Sequence, residues 1–171
     1  MNYIKRNFRI IIPITIVIIL GVAVSILPFW SDIDITLHGI QAQIGDEEDI
    51  GEKTVTIRGR YWRYLFLNDR FEGRIEVEGY DFTFDGRMWP VELSFEDSRN
   101  GRSSVLSYWG YDGRNFIDGA AWRIYSKPDF SKILLLIFND SENMLYISAP
   151  ADSREEAVDI AKELASDFKW E

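Results

Sequence analysis

A single histidine, His38, stands in this chain of 171 residues, and there is no cysteine. Those two facts remove most familiar catalytic arrangements. Ser-His and Cys-His nucleophiles, and metal sites built from His or Cys, need partners that the composition does not supply. Disulfides are excluded for the same reason. No Gly-rich phosphate loop, zincin helix or dinucleotide fingerprint occurs. The 28 acidic residues remain as candidates for chemistry. Asp46, Glu47, Glu48 and Asp49 are consecutive, so an extended chain would point them to opposite faces. They lack the alternate spacing of the helix–loop–helix calcium motif and read as a solvated loop. Glycoside hydrolysis needs two carboxylates roughly 5 to 9.5 Å apart across a cleft, and some pair among so many acids meets that by chance. No catalytic, metal-ligating or cofactor-binding residue is therefore assigned, and no cofactor is expected.

The aromatic residues carry more information. They make up 15% of the chain, six of them tryptophan, and Trp62, Tyr64, Trp89, Trp109, Tyr111 and Trp122 fall in or beside expected strands and turns. Aromatic faces stack on sugar rings and carboxylates accept from hydroxyls, which makes these six candidate ligand contacts on a glycan-binding face. The competing account is that a small β core needs large side chains, and that strands favour Trp and Tyr anyway. The discriminating feature is whether about three of them stand exposed together.

Gly-Arg recurs at positions 59, 73, 86, 101 and 113. A rim of arginines for an anionic polymer is one reading. Successive turns of a meander fall at opposite ends of a sheet, however, so five could not share one rim. A strand-plus-turn rhythm with charged strand ends is the simpler reading.

Charge narrows the partners. Lys5, Arg6 and Arg9 are the charged residues of the first thirty positions. The other 16 of the 19 basic residues and all 28 acids follow, for a net charge of −12. Such a surface repels nucleic-acid phosphates, and it does not favour lying flat on anionic lipid.

The elements that would position these side chains begin with an apolar run. Residues 10–30 form 21 uncharged positions rich in Ile, Val and Leu, long enough to cross a hydrocarbon core of about 30 Å. The basic residues precede it and Asp32 and Asp34 follow. The expected arrangement is a cytoplasmic N-terminus (1–9), a transmembrane signal anchor (10–30), a juxtamembrane segment with an acidic loop (31–53) and an extracytoplasmic β-rich domain (54–171). A cleaved signal peptide, cut after Ala23-Val24-Ser25, is the alternative and leaves the domain in the same compartment.

Alternating apolar residues suggest strands at 33–37, 55–66, 75–77, 91–95, 104–109 and 121–125. Tyr80, Phe82 and Phe84 alternate in the opposite phase, after a turn or bulge at Gly79. Turns are expected at Asn68-Asp69, Asp85-Gly86, Asn100-Gly101 and Asp112-Gly113. Residues 133–138 are apolar without alternation, as in a strand covered on both faces, and 144–148 pairs back. Ser153 with Glu156 opens a helix over 153–168 whose apolar face is Ala157, Ile160, Ala161, Leu164 and Phe168. Packing that face on strand 133–138 satisfies both. The expected fold is mainly β (α+β): an N-terminal transmembrane helix, then an antiparallel meander of about seven or eight strands with one C-terminal amphipathic helix on the sheet. Barrel and open sheet are equally compatible with this pattern.

The stretch Gly59–Phe66, with Asp69–Val77 and Gly79–Thr83, and the later run Ile147–Ala151 into Ser153–Ala157, resemble small single-pass membrane proteins of Gram-positive bacteria that have no assigned activity. The resemblance implies an extracytoplasmic β-rich domain and no catalytic residues. The function expected is a membrane-tethered, non-catalytic interaction module, with a protein partner preferred to a cell-wall glycan. A carboxylate-dependent hydrolase of an envelope polymer, or a small-ligand-binding β domain, are the alternatives.

Overall fold

The computed structural model describes residues 12–22, 27–45, 49–98, 101–140 and 143–166. Residues 12–22 form a helix, α1. Nine strands follow: β1 (Phe29–Gln43), β2 (Asp49–Arg63), β3 (Arg70–Val77), β4 (Val91–Ser94), β5 (Glu96–Ser98), β6 (Gly101–Tyr111), β7 (Phe116–Ser126), β8 (Ile133–Asp140) and β9 (Asn143–Ala149). The helix α2 (Arg154–Leu164) closes the described chain, and a single 3₁₀ turn spans Asp81–Phe84.

All pairings are antiparallel, in the order β4-β3-β2-β1-β9-β8-β7-β6-β5. Two meanders are thus joined where β1 meets β9. The two edge strands, β4 and β5, are separated by Phe95 alone, so the sheet must curl to bring its edges together. A bridge between Met88 and Gly110, and a bond from the Trp89 amide to the Trp109 carbonyl (2.9 Å), tie the edges.

Alternation then sorts the side chains. Val55, Ile57, Ile75, Leu106, Ile124, Leu135 and Ile147 face the inside of the curl. Two groups of aromatic rings fill it. Phe130 packs on Phe71, Tyr61 and Phe95 at centroid distances of 5.2, 5.7 and 5.8 Å. Trp122 packs on Tyr80, Tyr108 and Phe82 at 4.9, 5.3 and 5.6 Å. The space that a small-ligand-binding β domain would keep open is occupied by these rings. Leu134 and Leu136 point the other way, against Ala157, Ile160, Ala161 and Leu164 of α2. Residues 133–137 of the unalternating apolar run are therefore covered on both faces, with the helix on the outer one, while Phe138, expected to share that cover, is 54% exposed.

The Ser153 hydroxyl caps α2 by accepting from the Glu156 amide, and the Glu156 carboxylate reaches back to the Asp152 amide (2.9 Å). Substituting Ser153 by alanine is expected to cost about 1 kcal/mol, read as a lowered midpoint in chemical denaturation.

Several expectations change. No helix among the described residues is long and apolar enough to cross a membrane. Phe29 and Trp30, expected at the end of the span, instead open β1 opposite Arg63 and Trp62; residues 10, 11 and 23–26 lie outside the described residues. Their pairing belongs to the long ladder that runs on through Ile33, Ile35 and Leu37, and a strand continues as long as its partner does. Residues 31–43 belong to β1 and 49–53 to the start of β2; Asp46–Glu48, in the expected acidic loop, lie outside the described residues. Tyr80, Phe82 and Phe84 do not form a strand. The Thr83 hydroxyl bonds the Val77 amide (2.9 Å) and the Tyr80 carbonyl (2.8 Å), folding this stretch into the 3₁₀ turn that delivers Tyr80 and Phe82 to Trp122. The C-terminal helix, expected to run to 168, ends at Leu164 with Ala165 as its C-cap, and Phe168 lies outside the described residues.

Candidate functional site

Three of the six candidate aromatics meet on the surface. Trp89, Trp109 and Tyr111 are about half exposed, and Phe116, which the sequence reading passed over, is 71% exposed. Trp89 lies 5.8 Å from Trp109 and 6.2 Å from Phe116, and Tyr111 lies 5.9 Å from Phe116.

The backbone places them. Trp109 and Tyr111 are alternate residues on the outer face of β6, and Phe116 opens β7 directly opposite Tyr111. Asp112 makes the intervening turn by accepting from the amides of Arg114 (2.8 Å) and Asn115 (2.7 Å), bonds that lower its pKa. Trp89 arrives from the other edge of the sheet. The Arg87 guanidinium clamps Asp85, whose pKa falls to about 2 through that bond and the Arg87 amide. The turn so formed lays residues 87–89 along β6, where the Trp89 amide bonds the Trp109 carbonyl (2.9 Å). This approach requires Gly110, since a Cβ there would lie 2.4 Å from the Arg87 carbonyl oxygen and 2.9 Å from the Met88 Cα. The glycine admits the second tryptophan.

Two grooves flank the cluster. One, about 530 Å³, is lined by Glu72, Trp89, Pro90, Glu92, Ser107 and Trp109. The other, about 380 Å³, lies between Tyr108, Trp109, Phe116 and Ala120–Ala121. A third depression shares Glu72 and Pro90 with the first and continues over Arg58 and Arg60 to Trp62 and Asp32. Its charges are paired across strands, Arg58 with Asp34 at 3.2 Å and Arg60 with Asp32 at 3.3 Å. The two depressions adjoin at Glu72 and Pro90, between the half-buried Trp62 and the Trp89–Trp109 pair.

The remaining candidates separate from this cluster. Trp122 is 3% exposed and belongs to the interior; its alternation with Ile124 marks both as inward-facing. Tyr64 follows the end of β2, half-buried, in the β2–β3 loop. Phe116 could have been found in the sequence, because a tight turn at Asp112-Gly113 sets Tyr111 against the residue that re-enters the sheet.

The perturbed carboxylates Glu78, Asp85, Asp112, Asp129 and Glu163 are all shifted downward by hydrogen bonds. A downward shift favours the ionised form, the opposite of what a general acid needs. No group of three or more His, Asp or Glu side chains that could hold a metal ion occurs among the described residues.

Fold and site together define a curled antiparallel sheet that carries an aromatic cluster over a carboxylate-edged groove. The chain matches no protein-family model, no curated protein and no solved structure. Nothing in these comparisons identifies it with the Gram-positive single-pass proteins that it resembles.

Proposed function

We propose that this protein is a membrane-tethered, non-catalytic binding module whose Trp89–Trp109 cluster takes a neutral or amino-bearing saccharide chain on the extracytoplasmic side. The observation that carries the reading is the exposure and mutual contact of Trp89, Trp109, Tyr111 and Phe116 beside a groove edged by Glu72, Glu92 and Ser107. Indole faces offer the apolar surface that the C–H face of a sugar ring covers. The carboxylates and the hydroxyl accept and donate to its hydroxyls. A net charge of −12 after Trp30 disfavours phosphate-bearing polymers. The tether rests on the uncharged residues before β1, 10–28, of which the described residues Ile12, Ile14, Ile16–Leu20 and Val22 stand 50% or more exposed. That much bare aliphatic surface needs an apolar solvent. Basic residues before the run and acids after it put the domain outside.

Titration of the full chain in mild detergent with chito-oligosaccharides, followed by tryptophan fluorescence, tests this. Saturable binding that Trp109→Ala weakens about tenfold or more, equivalent to about 1.4 kcal/mol, and that Phe66→Ala leaves intact, is the expected result. Absence of binding, or binding that Trp109→Ala leaves untouched, rejects the saccharide and turns the cluster over to a protein partner.

A further inference from the structure

The opposite end of the sheet carries a second apolar surface that the saccharide site does not use. The β2–β3 loop presents Leu65, Phe66 and Leu67 in succession, 55%, 77% and 60% exposed. Three adjacent large apolar side chains at a loop tip gain nothing from water. Phe29 and Trp30, equally exposed, begin the neighbouring strand, with Phe29 paired to Arg63 and Trp30 to Trp62. Tyr64 stands at the base of the loop.

The loop is held in place from beneath. Asp69, at its foot, accepts from the Tyr64 amide (3.0 Å) and the Tyr61 hydroxyl (2.6 Å), and Arg102 bonds both Asp69 and Tyr61. Leu65–Leu67 therefore project from a fixed base. Six residues separate Val22, the last described residue of α1, from Phe29, so the apolar N-terminal run enters the sheet at this same end.

We infer that this end is a bilayer-docking rim, in which Leu65, Phe66 and Leu67 enter the lipid interface beside the N-terminal segment while Trp30, Trp62 and Tyr64 sit at headgroup level. The inference rests on the tether reading and extends it to the orientation of the domain. Aliphatic tips backed by a belt of Trp and Tyr match the polarity gradient of an interface. Two cations lie near the rim: Arg60, 4.9 Å over the Trp30 ring and paired with Asp32, and Arg63, exposed one residue before Tyr64 and 3.9 Å from Asp69. End-on docking is also compatible with the acidic domain, because Asp32, Asp34, Glu76 and Glu92 are paired with arginines along the sides of the sheet. The saccharide site then faces away from the membrane. Arg102, at the start of β6, touches the foot of the rim, and Trp109 lies seven residues further along that strand, about 23 Å at roughly 3.3 Å per residue.

The chain has no cysteine, so single-cysteine probes report one place each. Full-length Phe66→Cys, Leu67→Cys and Phe116→Cys, labelled with an environment-sensitive dye, are reconstituted into phosphatidylcholine–phosphatidylglycerol vesicles containing lipids brominated in the upper acyl chain. The expected result is flotation of all three with the vesicles and quenching several-fold stronger at positions 66 and 67 than at 116. Flotation with equally weak quenching at all three positions overturns the rim and leaves the tether standing. Failure to float removes both.

Discussion

Replacing Asp69 by alanine is expected to lower folding stability by about 3–5 kcal/mol, the usual consequence of removing one partner of a buried ion pair. Asp69 is 4% exposed, yet it lies in a loop foot and not in a strand. It is tolerated there because every side of the carboxylate is answered. The Tyr61 hydroxyl and the Tyr64 amide donate to separate oxygens, Arg102 bonds the first of these, and Arg63 stands 3.9 Å away. Tyr61 is inside the curl, where burial raises its phenol pKa against the opposing pull of Arg102. Its ring contacts Phe130 and Phe95. Alanine at 69 leaves Arg102, about four-fifths buried, without its main counter-charge. It also leaves the Tyr61 hydroxyl and the Tyr64 amide short of an acceptor. Asp97, the other acid beside Arg102, is 91% exposed at 3.4 Å, and Asp97→Ala is expected to cost less than about 1 kcal/mol. Urea denaturation of both variants, followed by near-ultraviolet circular dichroism, gives the comparison. Equal midpoints would mean that the network contributes no more than an exposed ion pair. The Asp69 result bears on the rim as well, since the same bonds hold Leu65–Leu67 outward.

Much of the fold was legible because one face of most strands is buried. Val55 and Ile57, Ile75 and Val77, Val91 and Leu93, Leu106 and Tyr108, and Trp122 and Ile124 alternate as a half-buried strand must, and all are interior. The run 133–137 betrayed its double burial by lacking alternation, and the stripe on α2 identified its cover. Alternation carries no information about closure, however. That β1 pairs with β9 is a contact distant in sequence, and the curl that lets β4 and β5, neighbours in sequence, form opposite edges of one sheet leaves a local pattern that matches an open meander. Tyr80, Phe82 and Phe84 were misleading for a related reason. A period of two also fits a tight turn that sends two rings inward, and the Thr83 bonds that decide between them are not a periodicity. The site was half legible. Sequence can nominate Trp89 and Trp109, but their contact depends on Gly110, a glycine without turn chemistry.

The glycines give the sharpest separation between rhythm in a sequence and its physical cause. Gly59 and Gly73 open two of the five Gly-Arg pairs, but they are not at turns: they face each other across the middle of β2 and β3. A Cβ on Gly73 would lie 2.2 Å from the Arg58 carbonyl oxygen, 2.6 Å from the Gly59 Cα and 2.8 Å from the Phe71 Cζ. A Cβ on Gly59 would meet the Glu72 carbonyl oxygen at 2.3 Å and the same Phe71 atom at 2.8 Å. The pair thus leaves a slot across which the Phe71 ring lies, and from which that ring reaches Phe130. Covering strand glycines with an aromatic ring is one way in which a sheet bends sharply without exposing its backbone. Gly73→Ala is therefore expected to cost about 3 kcal/mol, at the upper end for overpacking a filled core, because the clashing atoms are backbone and cannot rotate away. Gly86→Ala, with nothing within 4 Å of the added carbon, is expected to be close to neutral. Thermal and urea midpoints of the two variants decide the matter. Similar, small losses at both positions would mean that the strands part easily at Gly73 and that the Gly-Arg rhythm is a matter of strand ends after all. A large loss at 73 alone makes two of its five members pieces of the core, placed where β2 and β3 close against the Phe71 ring.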